Sequence, residues 1–258
     1  MKYFVVSDIH GYYDELIAAL SEKGFDRNNP NHTLIVCGDC FDRGPKPIEV
    51  MEYLKSLPRR HLIWGNHEEL MTDLLYRRYP ASHDITNGTW DTLNKFLAKN
   101  NEKNTGSWEK TFSQFYEFFD LYKDYYETKH YIFVHSWIPV LPTRDDRVVY
   151  DENWREQTAN WGQAIWVNPF RMGDSGFNQT GKTIVFGHYH CSYGHFMIDN
   201  KGRSGSEFQK DANWEPYFGE DKNGGKYIGI DACTAYTGKV NCIVIDDDEL
   251  VERKNENV

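Results

Sequence analysis

Short apolar runs rich in β-branched and aromatic residues recur along the chain, at 3–6, 34–37, 62–64, 131–134, 183–186, 227–230 and 240–245. Their length and lack of alternation are those of buried strands. Between the early runs the pattern turns helical. Residues 13–20, 48–57 and 68–79 predict helices, and in the second the apolar positions 48, 51, 54 and 57 share one face of a 3.6-residue repeat. Strand and helix alternate through the first half, which predicts an α/β fold with a parallel sheet flanked by helices. Residues 80–128 break that rhythm. They are polar and aromatic, with a helical stretch near 112–122, and read as a helical insertion in a single domain spanning 1–258. The Gly, Ser, Asn and Asp-rich stretch over 200–226 reads as a surface loop.

Composition narrows the class. With 258 residues, 40% of them hydrophobic, the chain can fill a sizeable core. Its longest apolar runs are about four to six residues, against roughly 20 for a membrane span, and the first strand leads straight into a charged motif. This predicts no signal or membrane anchor. A net charge of −10 opposes general nucleic-acid binding, although a local positive site could hold one phosphate. The five cysteines are an odd number without framework spacing, which suits a reducing, cytoplasmic setting. Cys37 and Cys40, either side of Asp39, read as packing residues.

The chemistry lies where the strands end. Asp8-Ile9-His10-Gly11, Gly38-Asp39-Cys40-Phe41-Asp42-Arg43-Gly44 and Gly65-Asn66-His67-Glu68 each follow a predicted strand, as do Val134-His135-Ser136 and Phe186-Gly187-His188-Tyr189-His190. Sites in open α/β sheets form beyond the carboxyl ends of strands, so adjacent strands would deliver these groups to one place. Asp8 and His10, two apart on extended backbone, would share a face and chelate one ion. Carboxylate, imidazole and amide oxygen together suit Mn²⁺, Fe²⁺ or Zn²⁺, without the thiolates of structural zinc. Any one histidine alone reads as a hydrogen-bonded structural residue. Five motifs at the ends of five predicted strands, holding five of the chain's ten histidines, do not.

These motifs resemble the calcineurin-like metallophosphoesterases, and within them the phosphoprotein phosphatase branch of bacterial and phage serine/threonine type. That branch carries Gly-Asp-x-His-Gly, Gly-Asp-x-x-Asp-Arg-Gly, Gly-Asn-His-Glu and two later histidines. Here Ser7 stands at the first glycine. The stretch Ile230-Asp231-Ala232-Cys233 through Tyr236-Thr237-Gly238-Lys239 also looks like the end of bacterial members, so the resemblance runs from about residue 3 to 245. It implies a two-sheet α/β sandwich with metals at one edge. It further implies two divalent ions, Mn²⁺ with Fe or Zn as alternatives, one held by Asp8, His10 and Asp39 and the other by Asp39, Asn66, His135 and His188. His190 departs from the branch and matches the wider superfamily's Gly-His-x-His pattern, which would add it to the first ion.

By the same resemblance Arg43 would clamp the phosphate in bidentate fashion. His67 would protonate the leaving oxygen while Asp42 orients it. Arg171 is the candidate for a second phosphate-binding arginine, ahead of Arg155, and Tyr236 lies where the family places an aromatic residue near the substrate. Glu68 reads as a helix cap, and Trp90, Trp108, Trp154 and Trp161 as core. The expected activity is a phosphomonoesterase acting on phosphoserine or phosphothreonine proteins, with symmetrical dinucleoside tetraphosphate hydrolysis as the alternative. A non-catalytic scaffold on the same fold has no need of His67, Asp42 and Arg43. A nuclease sits poorly with the net charge and the Asp-Arg-Gly motif.

Overall fold

The computed structural model describes residues 1–101, 107–142, 148–199, 208 and 211–249. In chain order it comprises β1 (Lys2–Val6), α1 (Tyr13–Glu22), β2 (His32–Val36), α2 (Pro47–Ser56), β3 (Arg60–Ile63), α3 (Asn66–Arg77), α4 (Ser82–Asn87), α5 (Thr89–Asn101) and α6 (Ser107–Phe119). There follow β4 (Tyr122–Lys123), β5 (Tyr126–Glu127), β6 (Tyr131–Phe133), β7 (Val140–Pro142), β8 (Val148–Tyr150), α7 (Trp161–Ala164), α8 (Pro169–Asp174) and β9 (Thr183–His190). The chain continues through α9 (Cys191–Tyr193), β10 (Tyr217–Glu220), β11 (Lys226–Asp231), α10 (Thr234–Thr237) and β12 (Ile243–Asp246).

The strands form two five-stranded sheets, ordered β12-β1-β2-β3-β4 and β10-β11-β9-β6-β5, with β7 and β8 as a separate pair. Pairing is parallel from β1 to β4 and across β6, β9 and β11, while β12, β10 and β5 pair antiparallel. Side chains alternate across a strand, so a strand covered on both faces must be apolar throughout. In β1, Tyr3 and Val5 meet Phe133, Val185 and Ile230 between the sheets. Phe4 and Val6 face the other way, against Leu16 and Leu20 of α1 and Leu54 of α2. The second sheet's outer face packs Ile132, Ile184 and Phe186 on Trp137, Trp154 and Phe170. The result is the expected two-sheet α/β sandwich with helices outside.

Several expectations shift. The third helix ends at Arg77 rather than 79, because Arg78 adopts a left-handed conformation (φ 63°) and Tyr79 precedes Pro80, where helix is disfavoured. The last strand begins at Ile243, since Val240 and Cys242 are buried against the helical side instead. The span read as a loop contains a strand: Tyr217–Glu220 pairs along β11. Residues 200–207 and 209–210 of that span lie outside the described residues. Residues 80–128 hold α4, α5 and α6 and then β4 and β5. Among the described residues no helix is long and apolar enough to cross a membrane, and all five cysteines are unpaired.

The segment after β12 fastens one sheet to the other. Buried Asp247 accepts hydrogen bonds from Thr128 Oγ1 at 2.7 Å and from the His130 N–H at 2.8 Å and Nδ1 at 2.6 Å, just ahead of β6. Burial works to raise its pKa, but these donors outweigh it and hold the carboxyl at about 2. A group depressed below its unfolded value stabilises the fold above that value and loses the effect as pH falls through the folded one. Asp247→Asn is therefore expected to cost roughly 1–2 kcal/mol at pH 7, with the gap between mutant and parent closing between about pH 4 and pH 2. Denaturant titrations across pH check this, and a gap unchanged at low pH would contradict it.

Candidate metal centre

The ends of β1, β2 and β9 turn through backbone that few residues adopt. Asp8, His10, Asp39, Asp42, Arg43 and His188 all have φ between 49° and 72°. For non-glycine residues this left-handed region is sparsely populated and costs on the order of 1 kcal/mol or more each. Asp8 and His10 are thus not on extended backbone, as their spacing suggested. The turns bring their side chains inward by a tighter route. Close approach also explains two glycines: a Cβ on Gly65 would run into the Asp39 carboxylate, and one on Gly187 into that of Asp8.

Asp39 stands at the centre. Its Oδ2 lies 3.8 Å from His10 Nε2 and 3.9 Å from His67 Nε2, while Oδ1 lies 3.5 Å from His135 Nε2. Two close groups result, His10 with Asp39 and His67, and Asp39 with His135 and His188. Asn66 joins the second, its Oδ1 at 2.8 Å from His135 Nε2 and 3.0 Å from His188 Nδ1. The outer ring nitrogens are occupied: His10 Nδ1 donates to the Phe41 carbonyl and His135 Nδ1 to that of Cys37, each at 2.8 Å. Their Nε2 lone pairs therefore point inward, the tautomer a metal ligand needs. Asp8 lies outside both close groups, its carboxylate accepting the His188 N–H at 2.9 Å.

The electrostatics match a site built for cations. Burial raises the Asp39 pKa, but His135, His67 and His10 outweigh it and hold the carboxyl well below the usual range. Burial, then the neighbouring Asp231 and Asp39 carboxylates, push Asp8 up. Burial pushes His10, His135 and His188 down, the last to about 3, so these rings are neutral lone-pair donors. Buried carboxylates crowded with neutral imidazoles and an amide oxygen fit one or more divalent ions.

The Asp-Arg-Gly loop sits over the first group. Arg43 Nη1 donates to His10 Nε2 at 2.7 Å, and Nη2 lies 3.0 Å from His67 Nε2. His67 Nδ1 meets Asp42 Oδ2 at 2.6 Å. Burial opposes protonation of His67, yet Asp39 and the Asp42 hydrogen bond overcome it and raise its pKa. Beneath the loop Glu68, fully buried at the start of α3, accepts the N–H groups of Asp39 and Gly65 at 2.9 Å and of Cys40 at 2.8 Å. Burial first and Asp39 second push its pKa up to about 8.

Other expected residues stand further out. His190 belongs to neither close group; Ser192 Oγ lies 3.3 Å from its Nδ1, and its ring packs on Phe208 and Trp214. Tyr236, 64% exposed, packs on the same two rings. Arg171 is exposed on α8 and donates through Nε to Tyr193 at 3.1 Å, whereas Arg155 pairs with Glu127, away from both groups. Reasoning from the chain alone missed Asp231, buried at the end of β11 with its pKa raised to about 7 by burial and the nearby Asp39 charge. Its signal was available: an acidic residue closing a predicted strand, as Asp8 and Asp39 do. It also missed Thr89, which donates to Asp42 from α5.

The chain is also similar to known proteins. The calcineurin-like phosphoesterase family profile matches residues 1–200. Over 69 residues, 26% of this chain, it is 44% identical to a symmetrical bis(5'-nucleosyl)-tetraphosphatase of Klebsiella pneumoniae (strain 342), covering 24% of that protein. Over 76 residues it is 40% identical to an asymmetrical bis(5'-nucleosyl)-tetraphosphatase of Bacillus velezensis, again 26% of this chain and 30% of the relative. The chain thus matches only about a quarter to a third of the length of these relatives. A solved protein serine/threonine phosphatase from Saccharomyces cerevisiae superposes over 99% of this chain and 82% of its own, with TM-score 0.55 and 16% identity, a likeness of fold.

Glu68→Ala would strand three buried N–H groups, and each such group costs about 1–3 kcal/mol. Loss of about 3 kcal/mol or more in denaturant unfolding is expected; a loss under about 1 kcal/mol would show that the loop does not depend on Glu68.

Proposed function

The chain belongs to the calcineurin-like phosphoesterase family, and on that footing we propose that it hydrolyses phosphoesters with two divalent cations, one held by Asp8, His10 and Asp39 and the other by Asp39, Asn66, His135 and His188. The observation that carries this reading is the Asp39 carboxylate, which turns one oxygen towards His10 and the other towards His135. Asp8 is included because burial and then the neighbouring Asp231 and Asp39 carboxylates push its pKa up, a crowding of negative charge that a cation would relieve. His190, engaged with aromatic rings, is left out. Manganese is the ion assigned, with iron or zinc compatible with the same donors. Ions bound there supply water ionised near neutral pH and neutralise charge on the phosphoryl oxygens.

The remaining steps fall to the chain's own side chains. Arg43 presents two guanidinium nitrogens towards the centre, the fork that matches two phosphate oxygens. His67 carries the proton for the leaving oxygen on Nε2, held in line by Asp42 at Nδ1. This His67, Asp42 and Arg43 set is what a scaffold would lack.

For the substrate, an observation on the far side of the site favours esters bearing a planar group. Phe208, Trp214 and Tyr236 lie within 5.8 Å of one another, ring centre to ring centre, beside His190, and Phe208 and Tyr236 are exposed. Such a wall suits stacking of a nucleobase, and the tetraphosphatase relatives support a dinucleoside tetraphosphate. Phosphoserine or phosphothreonine proteins are the second reading, supported by the Asp-Arg-Gly and Asn-His-Glu loops. Either substrate suits a reducing, cytoplasmic setting for the unpaired cysteines.

Metal-stripped protein should be inactive on p-nitrophenyl phosphate and regain turnover with Mn²⁺, while Asp39→Asn stays inactive. With diadenosine tetraphosphate, two ADP per substrate supports the first reading. Inorganic phosphate from a phosphoserine peptide with no dinucleotide cleavage supports the second. Silence with Mn²⁺, Fe²⁺ and Zn²⁺ on all three substrates would contradict the proposal.

A further inference from the structure

Helices α4 and α5 grip the Asp-Arg-Gly loop from outside. Thr89 Oγ1 donates to Asp42 Oδ2 at 2.7 Å, the same oxygen that meets His67 Nδ1. The Asp42 N–H donates to Thr92 Oγ1 at 3.1 Å, and Lys95 Nζ donates to the Gly44 carbonyl at 3.1 Å. Gly88, which ends α4 at φ 87°, lies so near that a Cβ would come within 2.7 Å of the Arg43 nitrogen. Thr89 and Asp42 are fully buried, and no described residue donates to the other Asp42 oxygen.

We propose that Thr89 is a positioning residue for the proton donor, acting through Asp42. The terminal torsion of a carboxylate is soft, so the histidine bond alone leaves Asp42 free to swing and carry the imidazole with it. A second donor on the same oxygen fixes the carboxylate plane, and with it the direction of His67 Nε2. This gives the inserted helices a task in the reaction itself. It rests on the reading of His67 as general acid.

The test compares Thr89→Val, Thr89→Ser and His67→Asn in Mn²⁺-loaded protein, on an alkyl phosphate and on p-nitrophenyl phosphate, whose leaving group hardly needs a proton. Thr89→Val is expected to lower kcat roughly 10- to 100-fold on the alkyl ester with KM unchanged, and less than about 3-fold on the nitrophenyl ester. Thr89→Ser, which keeps the hydroxyl, should restore the alkyl rate. Melting temperatures accompany each variant, and Thr89→Ala carries the same expectation if valine prevents folding. Equal losses on both esters, no loss, or a serine variant as poor as valine would overturn the role of Thr89. If His67→Asn itself shows no preference between the esters, the acid reading falls and this inference with it; if His67→Asn discriminates and Thr89→Val does not, the inference alone fails.

Discussion

A carboxylate cannot stay ionised inside a protein unless something answers its charge. Asp39 is buried and yet holds its proton less tightly than a carboxylate in water, because imidazoles surround it and one of them, His67, has its own pKa raised and carries the answering charge. Much of the molecule can be read as the means of holding that arrangement. The two sheets bring β1, β2 and β9 to one edge, the left-handed turns swing the side chains inward, and Glu68 ties the N–H groups beneath Asp39 to α3.

The conformational expense of those turns is met by the sandwich. Six site residues with positive φ would destabilise an isolated loop. Here each loop is anchored by a strand buried on both faces, and the outer histidine nitrogens are fastened to carbonyls of neighbouring loops. The rings cannot turn to relieve the crowding at the centre, which leaves their lone pairs aimed where a cation would sit. Rigid support of this kind is what separates a set of ligands from a set of polar residues.

The central strands and the Asp8, Asp39 and Asn66 loops were legible because their signals are local: unbroken apolar runs, each followed by a fixed motif. The two-residue strands β4 and β5 carry too few side chains to show a period, and β10 hides in a polar stretch because it is an edge strand paired along one side only. The extended backbone expected for Asp8 and His10 was wrong: both adopt left-handed φ, 49° and 51°, where the Asp8 carboxylate lies against Gly187 and the His10 carbonyl against Gly44. The bond from Thr89 to Asp42, and the acceptance by Glu68 of the Asp39 and Cys40 N–H groups, join segments far apart in the chain, which no short window reveals. His190 and Tyr236 followed a family pattern, but their neighbours in space are aromatic rings.

The central claim is that Asp39 is shared between two ions. Electron paramagnetic resonance of the metal-free protein, loaded with two equivalents of Mn²⁺, tests this without any substrate. A carboxylate bridge couples the two spins, so a multiline spectrum from an exchange-coupled pair is expected, reverting in Asp39→Asn to the six-line pattern of isolated Mn²⁺. The six-line pattern from the parent protein at two bound equivalents would contradict the account.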